Sequence, residues 1–405
     1  MVLRNYWMLL IWPLTVGLFL NVVISKTLVT VEGKSEYRWG KFSAFLLVLP
    51  YIIWAGFRTD WFGDTLVYRM SFYDAANSLS ALPAYAASQT KDTGFYVLNS
   101  LFKIFISSSS VVFFLAIAAF QIFFIMRTYR KYSSDYWMSI FLFIVSTDYL
   151  SYMHNGMRQF IAVCGIFACL GWILKKEYFK TILVILLLST IHQTCLIMIP
   201  IIFIIQGKAF NKKTMFLIFL TLIVLVGVNS FTSFLENALK ETQYSDIMTN
   251  EIMQNKTGTN ILRVIVYSVP LLLSIVGKRY IDEANDPLIN LCVNCSVITT
   301  ALYAISAVTS GIYFGRLPIY TSLTGYILLP WLINHMFEKE SAGLVKLMMY
   351  GFYFLFFYYQ MHFAWGSYNE TSYKSPTGSD IYGTWWFRDY VDELLSSYRS
   401  FKGSV

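Results

Sequence analysis

The chain has 405 residues, of which 57% are apolar, 18% aromatic and 13% charged. With a mean hydropathy of +0.55, that balance excludes an ordinary soluble domain. The net charge of +8 sits in short connectors rather than on one basic face, which excludes nucleic acid as a partner.

Apolar runs of roughly 17–22 residues match a hydrocarbon core of ~30 Å and predict a polytopic, all-α membrane bundle. Because the runs are continuous rather than alternating, a transmembrane β-barrel is excluded. The first run, 7–24, is followed by no small-residue cleavage motif and reads as the first span. The basic connector after it, with Lys26, Lys34, Arg38 and Lys41, marks the cytoplasmic side. The second span, about 42–57, then delivers Arg58 to the outer face.

Residues 58–107 form an external loop and a short helix, "FYVLNSLFKIFI". That helix is too short to cross and carries Asn99 and Lys103, so it is expected at the outer interface. A full crossing would put Arg127, Arg130 and Lys131 outside, against the charge rule. Further spans are expected at about 110–126, 136–152, 156–174, 215–229, 260–276, 288–308, 316–334 and 343–363. The run 179–205 splits at His192 into two short helices, which keeps Lys208, Lys212 and Lys213 cytoplasmic. The sum is about twelve crossings in one integral membrane domain, 1–405, with 231–259 and the tail 365–405 external.

The five cysteines, at 164, 169, 195, 292 and 295, all lie in apolar runs and read as core residues. The costly polar residues instead collect on the outer side. Arg58, Asp60 and Asp64 follow the second span, Asp92 precedes the interfacial helix, and His154, Asn155, Arg158 and Gln159 open a further helix. His192 sits at the tip of the split hairpin, and Arg316 begins the span after "SGIYF". Each has a plain structural reading. Arg58 could snorkel, Asp60 and Asp64 could be solvated partners of Arg58 and Arg69, and Asn155 could cap the helix behind it. Arg158 resists such a reading, because a cation at a helix N-terminus opposes the macrodipole and calls for an anion. Arginines with a histidine and a few carboxylates suit phosphate, which a guanidinium fork grips through two oxygens. No DxD, Walker, HExxH or GxSxG pattern occurs in the polar regions, so no metal ligands and no cofactor are expected.

These elements resemble a known family. "GFRTDWFGDTLVYRMSF" is similar to the Arg-x-x-x-x-x-Asp-x-x-x-Tyr element of the EpsG-like, Wzy-type polysaccharide polymerases, through Arg58, Asp64 and Tyr68. "DTGFYVLNSLFK" resembles their Glu-Pro-Gly-Phe segment, with Asp92 and Thr93 in place of Glu-Pro. "NGMRQFIA" resembles their Asn-x-x-Arg-Gln element (Asn155, Arg158, Gln159), and "STIHQTCLIMIP" their His-x-Ser-Ala hairpin, with His192 and with Thr194 where serine is common. "FGRLPIY" is similar to a later arginine–tyrosine element, Arg316 and Tyr320.

The resemblance implies a GT-C-like glycosyltransferase of the bacterial plasma membrane. It would join oligosaccharide repeat units carried on undecaprenyl diphosphate at the outer face, to build O-antigen, capsule or exopolysaccharide. Membrane lipids, a flippase and a chain-length regulator are the implied partners. The implied catalytic residues are Arg58, Arg158 and Arg316 on the diphosphate, with His192 as base and Asp92 in reserve. Asp60, Asp64, Tyr68, Asn155, Gln159 and Tyr320 would bind substrate. A ligase would use much the same residues. A transporter of the same lipids would need polar groups continuing toward the midplane and paired broken helices. A non-catalytic assembly subunit would use its arginines for headgroups alone.

Overall fold

The computed structural model describes residues 4–23, 27–31, 34–58, 60, 64–239, 258–311 and 314–361. Among these the protein is helical, apart from one short hairpin. Helices α1 (Arg4–Val23) and α2 (Lys41–Gly56) pack side by side, tied by the Trp12 indole N–H donating to Leu46 C=O at 3.2 Å. Between them lie β1 (Thr27–Val31) and β2 (Lys34–Arg38), an antiparallel pair with Thr27 opposite Arg38. An all-α reading does not anticipate this hairpin. Its β-branched run, Thr-Leu-Val-Thr-Val, sits in a connector whose basic residues dominate the sequence signal.

Helices α3 (Thr65–Asp74), α4 (Leu82–Ala87) and α5 (Thr93–Phe105) form a small layer over one end of α6 (Ser110–Tyr132). At ~1.5 Å per residue, α5 is about 20 Å long and falls short of a bilayer core. It buries Phe95 and Phe102 beside Phe72 and Phe113, whose rings stack at 4.7 Å, while Phe105 and Ile106 stay exposed. These aromatic residues, with Tyr68, Phe114, Ile117, Met157 and Ile161, make a satellite core separate from the main one. The candidate site is built on that satellite core.

Beyond α6 the expected straight spans are broken. Helix α7 (Tyr136–Val145), N-capped by Asp135, stops at Ser146 and is followed by the polar α8 (Thr147–His154). After Asn155 and Gly156 come α9 (Met157–Ala168) and α10 (Leu170–Leu174). Helix α11 (Tyr178–Ser189) ends just before His192, and a 3-10 turn (Gln193–Ile197) and α12 (Met198–Ile204) pack back against it. Helices α13 (Lys212–Val226) and α14 (Val228–Leu239) carry helix into 231–259, a segment expected to be loop throughout. Residues 240–257 lie outside the described residues, as does the tail 365–405.

Helices α15 (Ile261–Val276) and α16 (Lys278–Ala284) meet at a bend of 68°. Helix α17 (Pro287–Val308), capped by Asp286, is packed on nearly every side and carries Cys292 and Cys295 into the main core. All five cysteines are buried and free, as core residues should be. The expected span 316–334 is instead a 3-10 turn (Phe314–Arg316), α18 (Ile319–Ser322) and α19 (Gly325–Met336), followed by α20 (Lys339–Tyr359).

Helices α6, α17 and α20 are each long and apolar enough to cross a membrane, α15 and α16 are so together, and several other apolar helices are shorter. The molecule is a helical membrane protein. Helix α6 serves as its ruler. Near Ser110 it meets Arg69, whereas at its far end Arg130 Nε donates to Trp39 C=O and Lys131 C=O accepts from Arg38. The basic connectors around Arg38 and Arg130 and the candidate site therefore occupy opposite ends, ~34 Å apart along a 23-residue helix.

Candidate active site

Asp92 is the hub of the site. It occupies the left-handed region (φ 53°) just before α5, a conformation that Asp and Asn tolerate better than other non-glycine residues. Its Oδ2 lies 2.9 Å from Arg158 Nη1 and 3.4 Å from His192 Nδ1. Three segments distant in sequence thus converge on one carboxylate oxygen. None is sealed, with side-chain exposures of 12% for Asp92, 32% for Arg158 and 24% for His192.

The hairpin and α5 are locked together by backbone. Gly94 N–H donates to Thr190 C=O at 2.8 Å. A Cβ on Gly94 would come within 2.8 Å of the Thr190 carbonyl carbon and 2.1 Å of its hydroxyl oxygen, so only glycine permits this approach. The sequence placed Gly94 in a motif, but its role as the spacer that sets Asp92 against His192 needed the fold.

Asn155 does not cap α9. Its Oδ1 instead accepts from Asp64 N–H at 3.1 Å, and its C=O accepts from the Tyr68 hydroxyl at 2.8 Å. Tyr68 also lies within hydrogen-bond reach of Arg158 and meets Phe95 edge-on at 5.8 Å. Asp64 is at the surface, yet partial burial raises its carboxyl above the ordinary range, while Arg316 and Arg158 pull it back down. The fields of both arginines thus reach Asp64. Arg316 itself is exposed, and Gln159 Nε2 donates to its C=O at 2.9 Å. The hydroxyls of Thr194 and buried Tyr320 meet at 2.9 Å, which ties the hairpin to α18.

Arg58 stands behind this front row. It is 3% exposed, with Nη1 3.5 Å from Met153 C=O, Nη2 3.3 Å from Met157 Sδ, and its guanidinium 3.9 Å from the Phe114 ring centre. Desolvation lowers its pKa to about 9, so it remains a cation at neutral pH. Contact with the Phe114 face is worth ~2 kcal/mol for a desolvated cation. Asp60 is bound to Arg69 at 2.5 Å, and Arg69 also reaches Ser110 Oγ at 2.6 Å and Arg58 C=O at 3.3 Å. Asp60 therefore acts through Arg69 to brace the backbone at Arg58.

The structure adds residues that sequence reasoning missed. Arg263, in the first turn of α15, pairs with Asp148 of α8 at 2.8 Å, and Tyr152 lies within hydrogen-bond reach of it. The available signals were a cation in the first turn of an apolar helix and an acid inside the expected span 136–152. Among the described residues, no group of three or more His, Cys, Asp or Glu side chains is disposed to hold a metal ion.

Comparison with curated proteins finds no match, and comparison with solved structures finds none either. Residues 41–375, most of the chain and every residue of the site, match the EpsG family, and the chain belongs to that family.

Proposed function

We propose that the protein is a polysaccharide polymerase that joins undecaprenyl-diphosphate-linked repeat units at the outer face of a bacterial plasma membrane. It would act as a metal-independent, GT-C-like transferase built on about twelve crossings. The observation that carries the proposal is the single Asp92 oxygen shared by Arg158 and His192, with Asp64 within the field of Arg158 and Arg316. Anion-binding groups and a candidate base are then adjacent, as glycosyl transfer from a diphosphate requires.

In that reaction an acceptor hydroxyl oxygen attacks the anomeric carbon of the donor chain. The bond from that carbon to the diphosphate oxygen breaks, and the electron pair leaves with the diphosphate. Asp92 accepts from His192 Nδ1–H, which selects the tautomer whose Nε2 takes the hydroxyl proton. The 3.4 Å separation is long, as catalytic hydrogen bonds often are before substrate binds. Asp92 is thereby a positioning residue rather than the base. Arg158 and Arg316 receive the charge that builds on the diphosphate, and Arg58 adds its field from behind. Asp64, Tyr68, Asn155, Gln159 and Tyr320 shape the site around them, with Asp60 acting through Arg69.

Purified protein supplied with lipid-linked repeat units tests this reading. A ladder of polymer is the expected product. Transfer to a lipid core instead would make it a ligase, and vesicle uptake without bond formation a transporter. Either result would overturn the proposal.

A further inference from the structure

Helix α8 is a polar segment, "TDYLSYMH", between two apolar ones. The helix is broken on either side of it, at Ser146 and at Asn155–Gly156, and such breaks in a membrane bundle are tolerated where they line a cavity or a protein interior. Its residues Asp148 and Tyr152 and its C-cap Asn155, which keeps helical backbone, fall at i, i+4 and i+7 and share one face. That stripe runs from the Arg263 pair at one end to Asp64, Tyr68 and Arg158 at the other. Seven residues of helix span ~10 Å, the reach of a short saccharide.

The two ends of the stripe differ in charge. At the Asn155 end, Arg158 and exposed Arg316 stand against Asp64 and Asp92, with Arg58 behind, which leaves a cationic excess. At the Asp148 end the guanidinium of Arg263 is matched one to one by a carboxylate, Nε to Oδ2 at 2.8 Å. Arg263 also lies 5.5 Å from the Tyr303 ring centre and within hydrogen-bond reach of the Tyr152 hydroxyl. The Asp148 interaction uses one of the five N–H donors of a guanidinium. Arg263 is the open member of the pair, with 23% of its side chain exposed against 7% for the buried Asp148. Arg263 also opposes the dipole of α15, a placement with an energetic cost that a purely structural contact does not require. Ionisable pairs within membrane bundles commonly mark a substrate path.

A neutral pair presents donors and acceptors together but no net charge. It is poorly suited to a phosphate and well suited to the vicinal hydroxyls of a sugar, which both donate and accept. We propose that Asp148, Arg263 and Tyr152 form the subsite for the acceptor saccharide, holding its sugar hydroxyls while the diphosphate of the donor occupies the arginine end. This rests on the polymerase reading and assigns its second substrate a place. It also gives α8 a purpose: one helix face sets the distance between the two substrates.

The test separates acceptor from donor. The acceptor probe is the lipid-free repeat-unit oligosaccharide, as its methyl glycoside, isolated from the producing cells. Having no diphosphate, it accepts chains but cannot donate them. The donor is the lipid-linked chain, and the enzyme is the full-length protein in lipid nanodiscs. Asp148→Asn, Arg263→Gln and Tyr152→Phe are each expected to raise the half-saturating acceptor concentration. For the charged residues the rise should be about 10-fold or more, the loss expected for a hydrogen bond to an ionised group. Half-saturation by donor should stay within about 2-fold, less than the value of one hydrogen bond.

Unchanged acceptor dependence, or equal changes for donor and acceptor, would overturn the subsite. The double variant Asp148→Asn with Arg263→Gln keeps a neutral hydrogen-bonding pair between α8 and α15. It is expected to recover thermal stability without recovering acceptor affinity. Recovery of both would show that the pair is only a clamp between helices. Should wild-type protein form no product from lipid-linked units, the polymerase reading fails by itself. Titration of the same oligosaccharide against tryptophan fluorescence, wild type against the double variant, then still reads the subsite. Equal titrations would overturn it.

Discussion

His192 Nδ1 lies 3.4 Å from Asp92 Oδ2 although the residues are 100 positions apart in the chain. What brings them together is backbone, since Gly94 N–H closes on Thr190 C=O two residues from each partner. Arg158 reaches the same oxygen from a third segment. A carboxylate shared between a guanidinium and an imidazole holds both in place.

Arg158→Lys keeps the charge but loses the planar fork. Polymer formation is expected to fall by roughly 10²–10³-fold, the usual cost of removing one preorganised donor at a developing charge. Arg158→Ala should be no better. Membrane-inserted protein at wild-type level, scored by size-exclusion chromatography in detergent, must accompany the loss. Wild-type polymer from well-folded Arg158→Ala would reduce Arg158 to a helix-end residue.

Gly94→Ala places a methyl where Thr190 already stands. Overpacking of this kind typically costs about 1–3 kcal/mol. The expected result is a lower melting temperature and a fall in turnover, because α5 must move from the hairpin and carry Asp92 from His192. Thr190→Ser with Gly94→Ala removes one methyl from the crowded side but leaves the backbone clash, so little rescue is expected.

Asp64 offers a pH test. Burial raises its carboxyl, so its ionised form is disfavoured in the fold, and that penalty is relieved as pH falls through the raised value. While ionised, Asp64 also competes for Arg316 and Arg158. Measured against Asp64→Asn, which shares the probe's own protonation, wild-type binding of inorganic pyrophosphate should therefore gain as pH drops from neutral toward the carboxylate range. Asp64→Asn should bind more tightly at neutral pH and that gap should close on acidification, as isothermal titration at several pH values would read. A gap that stays constant with pH would assign the pH dependence to another group.

Chelator should leave activity intact. No group of three or more metal-ligating side chains forms among the described residues, and the arginines supply the positive charge a divalent ion would bring. Polymerisation measured with and without excess EDTA checks this. Loss that Mg²⁺ or Mn²⁺ restores would recast Asp60 and Asp64 as ligands.

Opposite ends of α6 should face opposite sides of the membrane. Ser80→Cys, exposed near the site, should react with a membrane-impermeant thiol reagent on intact cells, whereas Ser134→Cys, exposed beyond Tyr132, should react only after lysis. Labelling of Ser134→Cys in intact cells would invert the orientation, and the site with it.

Hydropathy alone determined that this chain is a helical membrane protein, because twenty-residue apolar runs have few other stable fates. The chain likewise marked its costly groups. Arg58, Asp92, Arg158, His192 and Arg316 are legible because charges and imidazoles at the edges of apolar runs need a reason to be there. Which of them meet is another matter. Contacts between residues about a hundred apart depend on helix packing and on one glycine's missing Cβ, and neither leaves a periodic trace. That Arg58 is buried against Phe114 while Arg158 is open follows from the satellite core, which no local pattern encodes. The boundary at Asn155 was legible, but the break at Ser146 falls inside the expected span 136–152, and α8 looked like the end of that span. Asp148 and Arg263 each stood out as a charge in an apolar segment, but only the packing of α8 against α15 makes them a pair.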